Sequence, residues 1–368
     1  MSLIIVGVAV TIYVVQARKG MADFEVYRTA AGRALNAENL YRPEDGHYQY
    51  KYWPAFAFAV APVALVDDGS ARLAWYALSF GLLCLFIRWS VQSVPDKRLT
   101  QRALFWFAIL FVGKYYAREL YLGQANFLLG TVLLGAFLAA EAGSRRTAGA
   151  LVAVGVFVKP YALILLPWLW FAAGLPSLVA GGVVFAAGLF LPALAYGWNG
   201  NIDQILGWYR TVTDTSAPNL LKEENISFAT AWAKWVGPGP LARGLAIATG
   251  ATCLGAVGVV MARRRLVSRP GCLEFGFLML LVPVLSPQGW DYLLLLATPA
   301  ILCIVDRWRE LSRGWQVVSG AAIGVTSFTI FDLLGRSLYE SMMEMSVLSA
   351  AVLALVACLV NLRWRRLA

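Results

Sequence analysis

The stretch AGALVAVGVFVKPYALILLPWLWFAAG, residues 148–174, carries one charged side chain, Lys159, in 27 residues. So apolar a run has no place on a water-facing surface, and it exceeds the roughly 17–25 residues that one helix needs to cross a bilayer. Lys159-Pro160 divides it near the middle. Proline lacks the amide N–H that a helix interior requires, and it pushes the preceding residue out of the helical region. The stretch is therefore expected to break there into two short half-helices.

Working outward, similar runs follow one another along the chain. Spans are expected at about 71–92, 103–122, 125–142, 176–197, 240–262, 272–287, 290–305, 314–333 and 345–362, after a first apolar run at 2–17 read as a retained signal anchor. Of the 368 residues 60% are hydrophobic and 14% charged, against roughly 45–50% and about 25% in soluble domains. The expectation is an all-α integral membrane protein, a polytopic helix bundle of about 12 spans forming a single domain over 1–368. The formal charge of +10 sits in short clusters between apolar runs, the pattern of cytoplasmic loops rather than of a nucleic-acid partner. These clusters are Lys97-Arg98 with Arg102, Arg145-Arg146, Arg263-Arg264-Arg265 with Arg269, Arg307 with Arg309 and Arg313, and Arg363 with Arg365-Arg366. All five fall on one side only if 148–174 crosses an even number of times, entering and leaving with Lys159 and Pro160 near the apex.

Under that topology 198–239 is a large outer loop; the segment 18–70 is a first loop with a short re-entrant or juxtamembrane helix near 53–66, outside if 53–66 only dips into the membrane and cytoplasmic if it spans, as Arg18-Lys19 would favour. Length and the two prolines Pro54 and Pro62 argue against a full span at 53–66. The five cysteines lie in or beside apolar runs without CxxC spacing, so neither a disulfide framework nor a zinc site is expected. With one histidine, His47, and no clustered carboxylates, no metal is expected, and no glycine-rich phosphate loop points to a nucleotide cofactor.

The first loop concentrates chemistry. It reads Asp23-Phe24-Glu25-Val26-Tyr27-Arg28, then a helical stretch to Leu35, then Leu40-Tyr41-Arg42 and Tyr48-Gln49-Tyr50-Lys51-Tyr52-Trp53-Pro54. Carboxylates, aromatic rings and cations at a membrane surface suit a sugar or phosphate site; an interfacial aromatic belt with a solvated helix is the plainer reading. Asp23 is a candidate general base or a helix N-cap, with Glu25 in reserve. Lys159 is costly inside an apolar run, so it should face a cavity or a partner. Arg118, Arg28 and Arg42 are further candidate cations, Arg118 standing beside Glu119. Gln124 and Asn126 at an outer turn either bind sugar hydroxyls or satisfy the turn backbone. Trp290 and Asp291 pose the same choice, stacking platform and sugar ligand or belt residue and cap.

Four segments in order resemble glycosyltransferase family 87: Asp23-Phe24-x-Val26-Tyr27 with Leu40-Tyr41 and Tyr50-x-Tyr52-Trp53-Pro54; Gly123-Gln124-Ala125-Asn126; Ala148-Gly149 followed by Lys159-Pro160-Tyr161; and Ser286-Pro287-Gln288-Gly289-Trp290-Asp291. The resemblance implies a GT-C-type membrane glycosyltransferase. It implies transfer with inversion from a polyprenyl-phosphate sugar, mannose above all, to a lipid or glycan acceptor outside the cytoplasm, at the plasma membrane. It places the catalytic carboxylate on Asp23, and the first loop outside. Tyr27, Tyr52 and Tyr292 join the expected sugar contacts. Many members carry histidines after Trp-Asp where this chain has Tyr292 and Leu293, so any phosphate contact made there must come from Tyr292 or an arginine. The competing class is a multi-span transporter or lipid-linked-sugar flippase, which a broken helix with a lysine would also suit.

Overall fold

A computed structural model of the chain describes residues 3–365; Ser2 of the first apolar run and Arg366 of the last basic cluster lie outside the described residues. Among the described residues the fold is all-helical, and its only strand-like feature is one isolated bridge, Asn225 with Trp290. Lipid explains the preference, since a helix satisfies its backbone polar groups internally. The chain is a membrane helix bundle.

Among the described residues three helices are long and apolar enough to cross a bilayer by length and composition: α4 (Asp68–Ser93), α12 (Pro240–Ala262) and α18 (Val347–Arg365). A fourth is added if α9 (Leu175–Phe190) and α10 (Ala193–Ser216), bent by 90°, count as one broken span. The other expected spans are shorter or more polar. α5 (Gln101–Leu122) holds Lys114, Arg118 and Glu119, α6 (Asn126–Glu141) has 16 residues and α13 (Gly271–Leu285) has 15. The segment expected at 290–305 opens as a 3-10 stretch, Asp291–Ala297, before α14 (Thr298–Asp306), and α15 (Arg313–Phe328) has 16 residues. The run 148–174 is broken where Lys159 takes an extended backbone (φ −150°, ψ 134°), closing α7 (Arg145–Val158) before a 3-10 turn at Pro160–Leu165 and α8 (Leu166–Ala173). The segment 53–66 forms α3 (Pro54–Ala59) and a 3-10 turn, Ala61–Ala64. Six helical residues rise about 9 Å, well short of the roughly 30 Å hydrocarbon core.

The described residues group into two compact units, one from the start of the described chain to 86 with 116–215, the other 87–115 with 216 to the end of the described chain. In the first, α1 (Leu3–Ile12) leads through a π turn to α2 (Ala22–Leu35), whose inner face buries Phe24, Tyr27, Ala30, Ala31 and Ala34. Trp75 of α4 lies 5.5 Å, centroid to centroid, from both Phe24 and Tyr27, and its indole N–H donates to the Gly123 carbonyl at 2.9 Å. α7 packs on α9 through glycine: Gly149 touches the Ser177 backbone so closely that no Cβ would fit. The opening part of the expected loop 198–239 is helix, because α10 continues to Ser216 and buries Asn201, Gln204 and Thr211. Gln204 accepts the Leu40 N–H at 3.0 Å, and Trp208 stacks on Trp53 with centroids 4.0 Å apart.

In the second unit α13, the 3-10 stretch and α14 are almost wholly buried. Four of the basic clusters meet there. Asp306 accepts the backbone N–H groups of Arg98 and Leu99, Arg307 pairs with Glu310, and the buried Glu274 stands 3.5 Å from Arg264 and 3.7 Å from Arg363. The tertiary fold thus gathers clusters that the charge pattern assigns to one side. Cys272 and Cys303, both buried, bring their side chains together between α13 and α14. Thirty-one residues separate them in sequence, and only helix packing makes them neighbours.

Candidate active site

Asp23 is the second residue of α2, whose N-cap is Met21. The capping reading is therefore set aside, while the first turn still favours a negative charge through the helix dipole. Gly123 positions the side chain's main partner. Its φ of +70° is left-handed, and a Cβ there would stand 2.9 Å from the Cβ atoms of Met21 and Phe24. Only glycine lets the turn close onto the start of α2. The next residue, Gln124, is buried and hydrogen-bonds the Asp23 carboxylate.

Two tyrosines complete the hydrogen-bonding arrangement. Tyr27 and Tyr52 share a hydrogen bond of 2.7 Å between their hydroxyls, and Gln124 Oε1, 3.2 and 3.3 Å from them, accepts the proton that this bond leaves free. A glutamine whose carbonyl is occupied in this way must present its NH₂ to the carboxylate. Tyr52 is itself held, since Tyr41 donates to its carbonyl at 2.6 Å and its ring stacks on Phe56. Burial and the neighbouring Asp23 charge keep both phenols well above their ordinary range, so they act as neutral donors.

Lys159 reaches the same place from the break between α7 and the following turn. Its Nζ lies 5.6 Å from the centre of the Tyr52 ring, and its charge acts on both Asp23 and Glu119. Glu119 is fully buried near the end of α5 and caps α6, accepting from the Asn126 N–H at 2.5 Å, Asn126 Nδ2 at 2.9 Å and the Phe127 N–H at 3.3 Å. Asn126 is thus a holder of Glu119, whereas Gln124 faces Asp23. Burial raises the Asp23 carboxyl above its ordinary value, opposed first by the charge of Lys159 and then by the Gln124 hydrogen bond, Lys51 and His47.

Lys51 was not among the cations expected from the sequence. It is half-buried beside Asp23, its pKa lowered by burial, and its carbonyl accepts from Trp208 Nε1 at 3.2 Å. It stands in the alternation Tyr48-x-Tyr50-x-Tyr52, and residue type alone does not say which way it turns. Two of the expected arginines are engaged elsewhere. Arg28 pairs with Asp68 and donates to the carbonyls of Val63 and Val66, and Arg42 pairs with Glu38 at 2.6 Å. Arg118 is half-buried on α5, one residue before Glu119, and Glu25 pairs with Arg72 at 2.7 Å.

Trp290, Asp291 and Tyr292 belong to the second unit. There Trp290 bridges to Asn225, the Asp291 N–H donates to the Glu224 carbonyl at 2.9 Å, and the Asp291 and Tyr292 side chains are buried. The turn at 286–291 is therefore laced to 224–226, the start of the segment that leads into α11 (Phe228–Val236). Among the described residues no three of His, Cys, Asp and Glu converge as metal ligands do.

A helical membrane protein with an acid, an amide and two lysines gathered under tyrosines has the donors and acceptors to bind a sugar and an anion together. The model of glycosyltransferase family 87 matches residues 50–287, nearly two thirds of the chain. The chain belongs to that family and is a membrane glycosyltransferase. The matched region contains Lys51, Tyr52, Gln124 and Lys159; Asp23 precedes it and Trp290 follows it. No curated protein and no solved structure matches the chain.

Proposed function

We propose that this glycosyltransferase moves mannose with inversion from a polyprenyl-phosphate donor to a lipid or glycan acceptor, using Asp23 as general base. The observation that supports it best is the meeting of Asp23, Gln124 and Lys159, which come from three distant segments. In a single displacement the acceptor hydroxyl oxygen forms the bond to C1 while the bond from C1 to the phosphate oxygen breaks. Asp23 takes the hydroxyl proton, and the electron pair leaves with polyprenyl phosphate. Lys159, with Lys51 close by, offsets the negative charge that grows on the departing phosphate. Gln124 holds the carboxylate in place, and the neutral phenols of Tyr27 and Tyr52 keep Gln124 oriented.

A lipid-borne donor suits the architecture, since it reaches the site from the bilayer. Enclosure by helices and the first loop would limit loss of the activated sugar to water. The proposed arrangement is a GT-C-type bundle in the plasma membrane, with the site on the extracytoplasmic face and the acceptor and membrane lipids as its partners. Purified protein assayed against polyprenyl-phosphate mannose, polyprenyl-phosphate glucose and nucleotide sugars tests the donor. Transfer from a nucleotide sugar alone would overturn it. A membrane-impermeant maleimide should label Glu44→Cys in intact cells, and labelling only after the membrane is opened would place the first loop on the other side.

A further inference from the structure

Beside the proposed base lies a cavity of about 440 Å³ that the transfer chemistry above does not use. Its walls are Glu25, Thr29 and Arg33 from α2 and Asp45, Tyr48 and Tyr50 from the following loop. Ala22 and Val26 supply an apolar strip along the same helix face. We infer that this cavity is the acceptor subsite and that it takes a neutral pyranoside.

The first argument is continuity. Tyr50 lines the cavity, its ring lies 5.7 Å from that of Tyr52, and the Tyr52 hydroxyl reaches Gln124, which holds Asp23. Ala22 of the apolar strip directly precedes Asp23. The cavity thus lies one residue along α2 from the base and touches the tyrosine pair that orients its glutamine partner.

The second argument is chemical matching. A pyranose presents hydroxyls around its rim and C–H groups on its faces. The walls offer carboxylate acceptors, the Thr29 hydroxyl, tyrosine hydroxyls and the apolar strip, with the Tyr48 ring 59% exposed as a stacking surface. The cavity size falls in the usual small-molecule range.

The third argument is charge. Two carboxylates face one guanidinium, and Arg33 is already committed to Asp45 through paired hydrogen bonds, one of 2.8 Å. Glu25 is balanced by Arg72 from outside the lining. No uncommitted cation lines the wall to attract a phosphate, so an uncharged sugar fits and an anionic headgroup does not.

The inference rests on Asp23 being the base, yet its test reads binding and needs no donor. Octyl mannoside, glucoside and galactoside are titrated against protein in lipid nanodiscs free of glycoside detergent, with octyl phosphate as competitor. At least one glycoside should bind saturably, and Thr29→Trp, which fills the cavity from an exposed position, should weaken it by about tenfold or more. Tyr48→Ala, another exposed site, should weaken it in the same direction. Absence of saturable binding, affinity unchanged in both variants, or displacement by octyl phosphate would overturn the assignment. A failed donor panel with the binding result intact would instead count against the polyprenyl-phosphate reading.

Discussion

At Asp23 two demands conflict. A general base must be ionised, and burial opposes ionisation, so its carboxyl is held above its ordinary value. Activity should then rise with pH through an acidic limb lying above the usual carboxylate range of about 3.9. Lys159 and Gln124 both pull that value down. Lys159→Met and Gln124→Leu should therefore each move the limb of kcat/KM to higher pH, the lysine variant more, and Lys159→Met should also raise the donor KM. Asp23→Asn should reduce transfer by about 10²–10⁴-fold. Its effect on stability has the opposite sign. A raised folded pKa favours folding below the unfolded pKa, and that gain is lost as pH rises through the folded value. At neutral pH the ionised side chain weakens the fold, so the amide variant should melt no lower than the parent, checked by thermal unfolding in nanodiscs. Asp23, Gln124 and Lys159 were legible as residue types in awkward places. Lys51 was not, because nothing local separates a lysine turned toward a buried carboxylate from one turned to water.

Among the elements, two close approaches set the site. The Gly123 turn brings Gln124 to α2, and its left-handed backbone leaves no room for a Cβ against Met21 and Phe24. Gly123→Ala should cost about 1–2 kcal/mol from the backbone alone, with a further loss of kcat from displaced Gln124, measured as melting temperature and turnover on the same preparation. The contact of α7 with α9 at Gly149 and Ser177 holds the helix that ends at Lys159. The break at Lys159-Pro160 was readable, because proline cannot continue a helix and the preceding residue turns extended. The segment 198–239 follows as a loop from its place between two apolar runs; α10 occupies its start, where Gln204 and Trp208 find partners at Leu40 and Lys51. Those partners are invisible to a local reading.

At the scale of the whole molecule, the most deeply buried ionic cluster lies in the second unit, where Glu274 is fully buried between Arg264 and Arg363. Removing one member of a buried ionic cluster strands the others, so Glu274→Ala should cost about 3–5 kcal/mol. A large drop in melting temperature with the far-UV helix signal retained below it is the expected record. That the chain is a helical membrane protein was determined by composition and hydropathy alone, because lipid accepts only backbones that bond to themselves. Motif order pointed to the family, since each short motif marks a turn or break that the backbone makes locally. Which polar groups meet was decided by tertiary structure: Asp23, the Glu119–Gln124 turn and Lys159 lie on three segments far apart in sequence. Electrostatic and hydrogen-bond partners are chosen by distance in space, a quantity that residue order does not contain.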